Sequence, residues 1–296
     1  MTPPTPSHPT LTQTSLVLGP VELSVSDLQR SVTFYQGVLG LMVLGSTPTT
    51  AILGLPGQPL VALEARSGAR PVSPSSPGLY HLAVLLPTRA DLARWVRHAA
   101  GLGLRLGQSD HLVSEAFYLQ DPDGHGIEVY RDRPRSEWRW RGGQVTMASD
   151  PIDMASLLAE PGAEVPFAEV PAGTTLGHVH LRVSDLPAIE AFYRGVLGFD
   201  VVAQLPGALF VSVGGYHHHF GLNTWQSEHR PPAPQDASQL QRVNVGLQGA
   251  DDLDGLAVRL QAATVPFTRE GDTLDVRDPA GNALRFHAQE PLRALG

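Results

Sequence analysis

The stretch His111–Arg133, HLVSEAFYLQDPDGHGIEVYRDR, decides the fold expected for this chain. It contains an Asp-Pro-Asp-Gly turn, in which Pro122 presets φ and Gly124 tolerates a positive φ. The flanking residues predict two antiparallel strands, and alternation places Glu128 on the same face as Tyr130 in the second strand. A carboxylate there is either a solvated or arginine-paired edge residue, or the partner of something positive. Histidines at matching places elsewhere in the chain favour the second interpretation.

The chain repeats itself, and the repeat organises the rest of the sequence. The segment Val25–Val43 (VSDLQRSVTFYQGVLGLMV) recurs as Val183–Val201 (VSDLPAIEAFYRGVLGFDV). The segment Asp121–Tyr130 (DPDGHGIEVY) recurs as Asp278–His287 (DPAGNALRFH). The chain is therefore interpreted as a duplication.

Each half is predicted to hold two modules of the order βαβββ. In the first module Asp27 is a helix N-cap and Gly40 a stop, with an apolar stripe at helical spacing between them. The stripe consists of Leu28, Val32, Tyr35 and Leu39. Modules one to four are placed at about 16–70, 78–132, 176–228 and 240–290. The fold class is α+β, with two cup-shaped mixed β-sheets and helices outside.

The predicted domain organisation follows from these modules. Residues 1–15 are expected to form a flexible tail, 16–132 a first domain and 176–290 a second. The intervening linker, 133–175, is rich in Pro, Gly and Arg, and one helix is expected to start at Asp150-Pro151.

Composition excludes several classes of chemistry. The chain has no cysteine and no lysine, so thiol catalysis, thiolate metal sites and Schiff bases are excluded. A net charge of −8 argues against nucleic acid as a partner. The apolar runs are strand-sized and the N-terminus lacks a signal-peptide pattern, so a cytoplasmic protein without a membrane span is expected.

Three further segments carry a family resemblance: VSEAFYLQDPDGHGIEVYRDRPRSEW, GHVHLRVSDL and YHHHFGLNTW. Together they resemble the vicinal-oxygen-chelate superfamily, which includes glyoxalase I, fosfomycin-resistance and bleomycin-binding proteins and extradiol dioxygenases. The bacterial four-module catechol 2,3-dioxygenase-like proteins are the most similar group. The resemblance covers nearly the whole chain after the tail.

The resemblance implies a metal held in a cup between two modules. Its ligand positions, carried over residue by residue, give His81, Glu128 and His178. Modules one and four carry Pro20, Arg242 and Arg285 at those positions, so their cup should hold no metal. Two imidazoles and one carboxylate on one face suit non-haem Fe(II).

Residues around the metal are also implied by the resemblance. Tyr118 corresponds to a tyrosine on the catecholate oxygen, and His111 lies near a second histidine position, shifted by about two residues. Within the run 217–219, His219 is favoured as the acid–base residue and His218 is the alternative. A surface run of histidines that scavenges metal is the non-catalytic interpretation. The remaining cavity-facing candidates are His180, Asn223 and Trp225.

The predicted function is an Fe(II)-dependent extradiol dioxygenase acting on a catechol or hydroquinone-type ring with dioxygen. Mn(II) is an alternative metal, and a homodimer an alternative assembly. A glyoxalase-like lyase or isomerase would use Zn or Ni and commonly a second carboxylate. The module-three position that matches Glu128 is interpreted as His219, not a carboxylate, which weakens this alternative. A fosfomycin-type thiol transferase and a metal-free sequestering protein are further rivals.

The surviving ligands also predict how the modules pair. His81 and Glu128 of module two need a histidine from an odd-numbered module, and only module three supplies one, His178. The metal cup should therefore join modules two and three, within one chain or between two.

Overall fold

The computed structural model describes residues 16–70, 73–234 and 237–289. The predicted tail, 1–15, lies outside these residues. Within the described ranges, no helix is both long enough and apolar enough to cross a membrane.

All four modules have the predicted order of one strand, a helix and three strands. Module one contains β1 (Val17–Val25), α1 (Leu28–Leu39), β2 (Met42–Ser46), β3 (Thr50–Leu55) and β4 (Gln58–Ala65). Module two contains β5 (Gly78–Leu85), α2 (Arg89–Gly101), β6 (Gly107–Asp110), β7 (Ser114–Gln120) and β8 (Gly126–Asp132). The linker follows, with a 3₁₀ turn (Arg135–Glu137), β9 (Trp140–Arg141), β10 (Gln144–Val145) and α3 (Met154–Leu158).

The second half repeats this order. Module three contains β11 (Thr175–Arg182), α4 (Leu186–Glu190) continuing as a wider π turn (Ala191–Leu197), β12 (Asp200–Leu205), β13 (Ala208–Ser212) and β14 (Phe220–Asn223). Module four contains β15 (Leu240–Leu247), α5 (Ala250–Ala262), β16 (Phe267–Glu270), β17 (Thr273–Arg277) and β18 (Ala283–Ala288). The predicted fold class is confirmed.

The ends of the first helix are set by the residues that the sequence indicated. The Asp27 carboxylate accepts a hydrogen bond from the Arg30 N–H at 3.0 Å, which satisfies one of the free donors of the first turn. Gly40 ends the helix in the left-handed region at φ 70°, where a residue without Cβ is unstrained.

The strands form two cups that each join an odd module to an even one. β5 pairs antiparallel with β11, so modules two and three share the "two–three cup", built from β5–β8 and β11–β14. β1 pairs antiparallel with β15 in the same way, giving the "one–four cup" of β1–β4 and β15–β18. A single pair, Leu18 and Leu176, connects the two sheets. The predicted pairing of modules two and three is thus observed within one chain, while the two-domain boundaries remain a prediction.

Alternation along β5 and β11 separates the core from the inside of the two–three cup. The core side is apolar and buried, with Leu82 and Val84 from β5 and Val179 and Leu181 from β11. The opposite face turns its histidines into the cup, as parity predicts.

The linker differs from its prediction in one respect. Its helix begins at Met154 and is capped by Asp153, whose carboxylate accepts the Ser156 N–H at 2.9 Å. The predicted start at Asp150-Pro151 is wrong, because Asp150 is extended and exchanges backbone hydrogen bonds of 2.7 and 3.0 Å with Asp110.

Candidate metal centre

His81, Glu128 and His178 lie together inside the two–three cup. They come from β5, β8 and β11, and all three are buried. Glu128 Oε2 lies 3.0 Å from His81 Nε2 and 3.1 Å from His178 Nε2. In the described part of the chain, no other group of three His, Asp or Glu side chains converges in this way.

Strand register explains why the three side chains meet. Ala83 has Glu128 beside it on β8 and His178 beside it on β11. His81 lies two residues before Ala83 on β5 and therefore on the same face. The small side chain of Ala83 therefore leaves space beneath the point on which the three ligand atoms converge.

The trio fits a divalent metal. His81 Nε2 is buried and is not satisfied by a regular hydrogen bond, although Glu128 Oε2 lies 3.0 Å from it. Metal–ligand bonds of about 2.1 Å at right angles would hold neighbouring ligand atoms about 3 Å apart, which is the distance of Glu128 Oε2 from each histidine nitrogen. The three residues would occupy one side of an ion and leave the other side open.

The electrostatics favour a cation. Burial alone would raise the pKa of Glu128, but His178 and His81 beside it hold that pKa well below its usual value. Burial lowers the pKa of His81, with Glu128 opposing the change. Glu128 is thus an ionised carboxylate in a site with little water, next to imidazoles that can offer lone pairs.

The one–four cup has a different set of side chains at the matched positions. Strand register puts Arg242 in the place of His81 and Arg285 in the place of Glu128, while Asn244, the counterpart of Ala83, donates to the Pro20 carbonyl at 2.8 Å. Arg285 makes a two-pronged ion pair with Asp275 at 2.6 and 2.9 Å. These positions offer no ligand trio, and the metal-free one–four cup stays a prediction.

Register corrects the assignment of the matched carboxylate position in module three. His180 of β11 is the counterpart of Ala83, and its parallel neighbour in β14 is Gly221, not His219. A Cβ at Gly221 would lie 2.8 Å from the His180 ring, so the histidine occupies the space that a side chain there would need.

Tyr118 and His111 form a connected pair beside the trio. Tyr118 is the cross-strand neighbour of Glu128. His111 Nδ1 donates to the Ala148 carbonyl at 2.7 Å, so its Nε2 accepts the Tyr118 hydroxyl hydrogen at 2.6 Å. Burial, followed by the charge of Glu128, raises the pKa of Tyr118 well above its usual value, which keeps the phenol protonated.

Of the histidine run, His218 lies closest to the trio. Its ring centroid is 4.1 Å from that of His178. His217 is fully buried and joins His218 at 2.8 Å (Nδ1 to Nδ1) and Asp132 at 2.8 Å (Nε2 to Oδ1). Because the carboxylate only accepts, neutral rings require His217 Nε2–H to donate to it and His218 Nδ1–H to donate to His217, which leaves a lone pair on His218 Nε2.

His219 has a different environment. Its Nδ1 faces the Ser212 hydroxyl at 3.0 Å and accepts the Val213 N–H at 3.3 Å, and its ring packs against Tyr216. Burial, followed by the charge of His217, lowers the pKa of His219 to about 3. The structure therefore favours the alternative, His218, over the predicted His219, and the burial of His217 and His218 rules out a metal-scavenging surface run.

The other predicted cavity residues form an aromatic wall. The centroid of the His180 ring lies 4.9 Å from that of His81 and 5.6 Å from that of Trp225. His180 Nε2 is 3.0 Å from the amide nitrogen of Asn223. Tyr80 completes this wall, 5.0 Å from His180 and 5.5 Å from Trp225.

The sequence interpretation missed Tyr80, Asp132 and Ala148. Tyr80 is the extra residue of a β-bulge, where β5 places two residues opposite His180, so simple alternation assigns it to the wrong face. Asp132, four residues after Glu128, could have been found from strand parity. Ala148 acts through its carbonyl and leaves no signal in the sequence.

One cavity of the molecule lies away from this cluster. Its volume is about 640 Å³, and its lining residues include Trp140, Glu190, Arg194 and Gln204. This lining contains none of the histidines described above.

Comparison with known proteins agrees with this geometry. The chain is 42% identical over 275 residues to the catechol-2,3-dioxygenase of Bacillus subtilis (strain 168), which covers 90% of this chain and 95% of that protein. It is 30% identical over 113 residues to the glutathione transferase FosA of Serratia marcescens, covering 38% of this chain and 79% of that protein.

Solved structures show the same fold. A Bacillus subtilis structure superposes with a TM-score of 0.66 at 14% identity, covering 96% of this chain and 87% of that one. Glyoxalase I from Zea mays superposes with a TM-score of 0.55 at 16% identity, covering 93% and 92%. The model of the Glyoxalase/Bleomycin resistance protein/Dioxygenase superfamily matches residues 17–129 and 175–286. The resemblance is thereby confirmed, and the chain belongs to that superfamily.

Proposed function

We propose that this chain is an Fe(II)-dependent extradiol dioxygenase that cleaves a catechol or hydroquinone-type ring. The observation that carries the proposal is the open-sided trio of His81, Glu128 and His178, buried in a cup beside a hydrogen-bonded tyrosine and a histidine with a free lone pair. The 42% identity over nine tenths of the chain to a catechol-2,3-dioxygenase supports the dioxygenase assignment.

His81, Glu128 and His178 would hold the metal. Two neutral nitrogens and one carboxylate suit Fe(II), and Mn(II) is the alternative with the same ligand preference. When bound, such an ion would supply redox chemistry between a diol and dioxygen.

His218 is our candidate for the acid–base residue, in place of His219. Asp132 and His217 orient its ring so that Nε2 offers a lone pair, and Nε2 has no hydrogen-bond partner within the described ranges. Burial, followed by the charge of His178, lowers the pKa of His218 well below its usual value, so the ring is neutral, which is the form that can accept a proton.

Tyr118 would orient the diol. Its hydroxyl hydrogen is committed to His111, so its oxygen is free to accept a hydrogen bond from a substrate hydroxyl. The carbonyl of Ala148 fixes the His111 tautomer, which couples the linker to substrate orientation.

A glyoxalase-like activity with Zn or Ni would need a further ligand at the matched position of module three. That position is Gly221, and the His180 ring fills the space in front of it. The one–four cup offers arginines instead of ligands. These observations favour a three-ligand centre.

Oxygen-uptake measurements test the proposal. The protein is prepared without metal, loaded with Fe(II) under nitrogen and mixed with air-saturated catechol or hydroquinone. We expect uptake of one O₂ per molecule of ring-opened product, followed by its visible absorbance. Parallel samples loaded with Mn(II), Zn(II) or Ni(II) separate the metals, and no O₂ uptake with any metal would contradict the proposal.

A further inference from the structure

Arg182 is a buried cation that the protein leaves largely unsatisfied. It stands on β11, two and four residues after His180 and His178, on the face that lines the two–three cup. Only 6% of the residue is exposed. Its Nε donates to the Ser76 carbonyl at 2.9 Å, while Nη1 and Nη2 have neither an acceptor nor an acidic partner among residues 16–70, 73–234 and 237–289.

Arg131, which is buried, and Arg259, which is half-buried, both have protein acceptors for more than one guanidinium nitrogen. Arg131 pairs with Glu115 at 2.6 Å. Arg259 donates through two nitrogens to the carbonyls of Val196 and Leu197 at 2.9 and 3.2 Å. Nη1 and Nη2 of Arg182 have no such acceptor within the described residues, so both remain available to an acceptor from outside the protein.

The surroundings of Arg182 leave room for that acceptor. Its lateral neighbours are Gly78 on β5 and Asn223 on β14. Gly78 has no side chain, and a Cβ built there would meet nothing within 4 Å. Asn223 is fully buried, and its Oδ1 has no partner in the described structure. Free donors, a free acceptor and open space therefore occur side by side.

The same wall connects Arg182 to the metal centre. The His180 ring lies 4.9 Å from His81, and Tyr80 and Trp225 extend this aromatic surface. Arg182 is four strand residues from His178, which is roughly 13 Å between their Cα atoms. An aromatic diol with a short acidic chain is comparable in length to this interval.

We propose that the substrate of this site is a diol carrying a carboxylate, and that Arg182 binds this carboxylate while the ring lies against His180, Tyr80 and Trp225. A guanidinium offers two parallel N–H donors to a carboxylate, which matches the two idle nitrogens. The inference rests on the proposed function and specifies its substrate class. The lowering of the Arg182 pKa to about 10 by burial leaves the side chain charged at neutral pH.

The test compares two probes that differ only in charge, 3,4-dihydroxyphenylacetate and 3,4-dihydroxyphenylacetamide. For the Fe(II)-loaded protein we expect kcat/KM to favour the acid by roughly 10- to 100-fold, the range for a hydrogen bond to a charged group. Arg182→Met should bring the ratio to about one, and Arg182→Lys should restore part of it. Arg259→Met, a control that removes a half-buried arginine from another part of the fold, should keep the wild-type ratio.

A binding measurement keeps this test separate from that of the activity. The metal-loaded protein is titrated with each probe under nitrogen by calorimetry, and the acid should bind more tightly than the amide by the same factor. If neither probe is turned over but the preference in binding depends on Arg182, the proposed function fails and the carboxylate site stands. If the wild type shows no preference in binding or turnover, or if Arg182→Met weakens both probes equally, the carboxylate site is refuted.

The wild type alone also suffices if Arg182→Met does not fold. Phenylacetate should then compete with catechol more strongly than phenylacetamide does, and equal competition would contradict the inference.

Discussion

Glu128 is the residue whose replacement tests the metal centre most directly. Glu128→Gln keeps the volume of the side chain but removes the one negative charge of the trio. Removing one partner of a buried charge pair costs about 3–5 kcal/mol. At about 1.4 kcal/mol per factor of ten, this corresponds to a metal Kd raised roughly 10²- to 10⁴-fold. Wild type and variant would be titrated with Fe(II) under nitrogen against a competing chelator, with metal content measured after gel filtration.

The fold provides the control for this experiment. Arg285 occupies the register of Glu128 in the one–four cup, so Arg285→Gln changes the charge by one unit at the matched place. We expect this variant to bind metal as the wild type does and to lose only some stability through its pair with Asp275. A Glu128→Gln protein with a metal Kd within about three-fold of the wild type would refute the assignment of the ligand trio.

Three further outcomes are expected. His218→Gln should keep its metal but lose on the order of 10²- to 10⁴-fold in turnover, whereas His219→Gln should lose less, and the opposite ranking would restore His219 as the acid–base residue. Gly221→Ala should displace the His180 ring, because its Cβ would lie 2.8 Å from it, and lower kcat/KM with the metal Kd unchanged. Burial raises the pKa of Asp278 to about 6, from about 3.9 when unfolded, so its contribution to stability is fully present below pH 4 and is lost as the pH rises through 6. Denaturant unfolding should show wild-type stability relative to Asp278→Asn falling by roughly 3 kcal/mol between pH 4 and 7, and a flat or rising difference would contradict it.

The fold and the ligand trio were predictable because their signals are local or repeated. Alternation fixes which residues of β5, β8 and β11 face the cup, and the duplication shows that Arg242 and Arg285 replace ligands in the other cup. Since only His178 can complete the trio, the pairing of modules two and three followed from the sequence.

The error at Gly221 has a physical cause. The connection between β13 and β14 covers 213–219, whereas that between β7 and β8 covers 121–125, so the former is two residues longer. Sequence matching through the loop therefore assigned the position of Glu128 to His219 rather than to Gly221.

The choice between His218 and His219 depends on the same loop. Gly214 and Gly215 take positive φ values of 62° and 65°, which turns the chain before the histidines. Tyr216 then packs against His219, and Asp132 binds His217, which leaves His218 to contact His178. Tyr216 and Asp132 are far apart in the sequence.

The two cups show how one fold supports both a metal site and a closed ionic network. In the one–four cup, Arg242 and Arg285 are neutralised by Glu22 and Asp275, so these carboxylates are already paired within the protein. In the two–three cup the carboxylate of Glu128 is paired only with histidines, so a divalent cation bound there would balance its charge.

The linker contributes to this second arrangement. Ala148 holds His111 against Tyr118, and Trp138 and Val145 pack on the strands of module three. A segment that connects the two halves therefore also orients the groups around the metal. Shortening it should impair the orientation of Tyr118 even where both cups fold, because the carbonyl that fixes the His111 tautomer would be displaced.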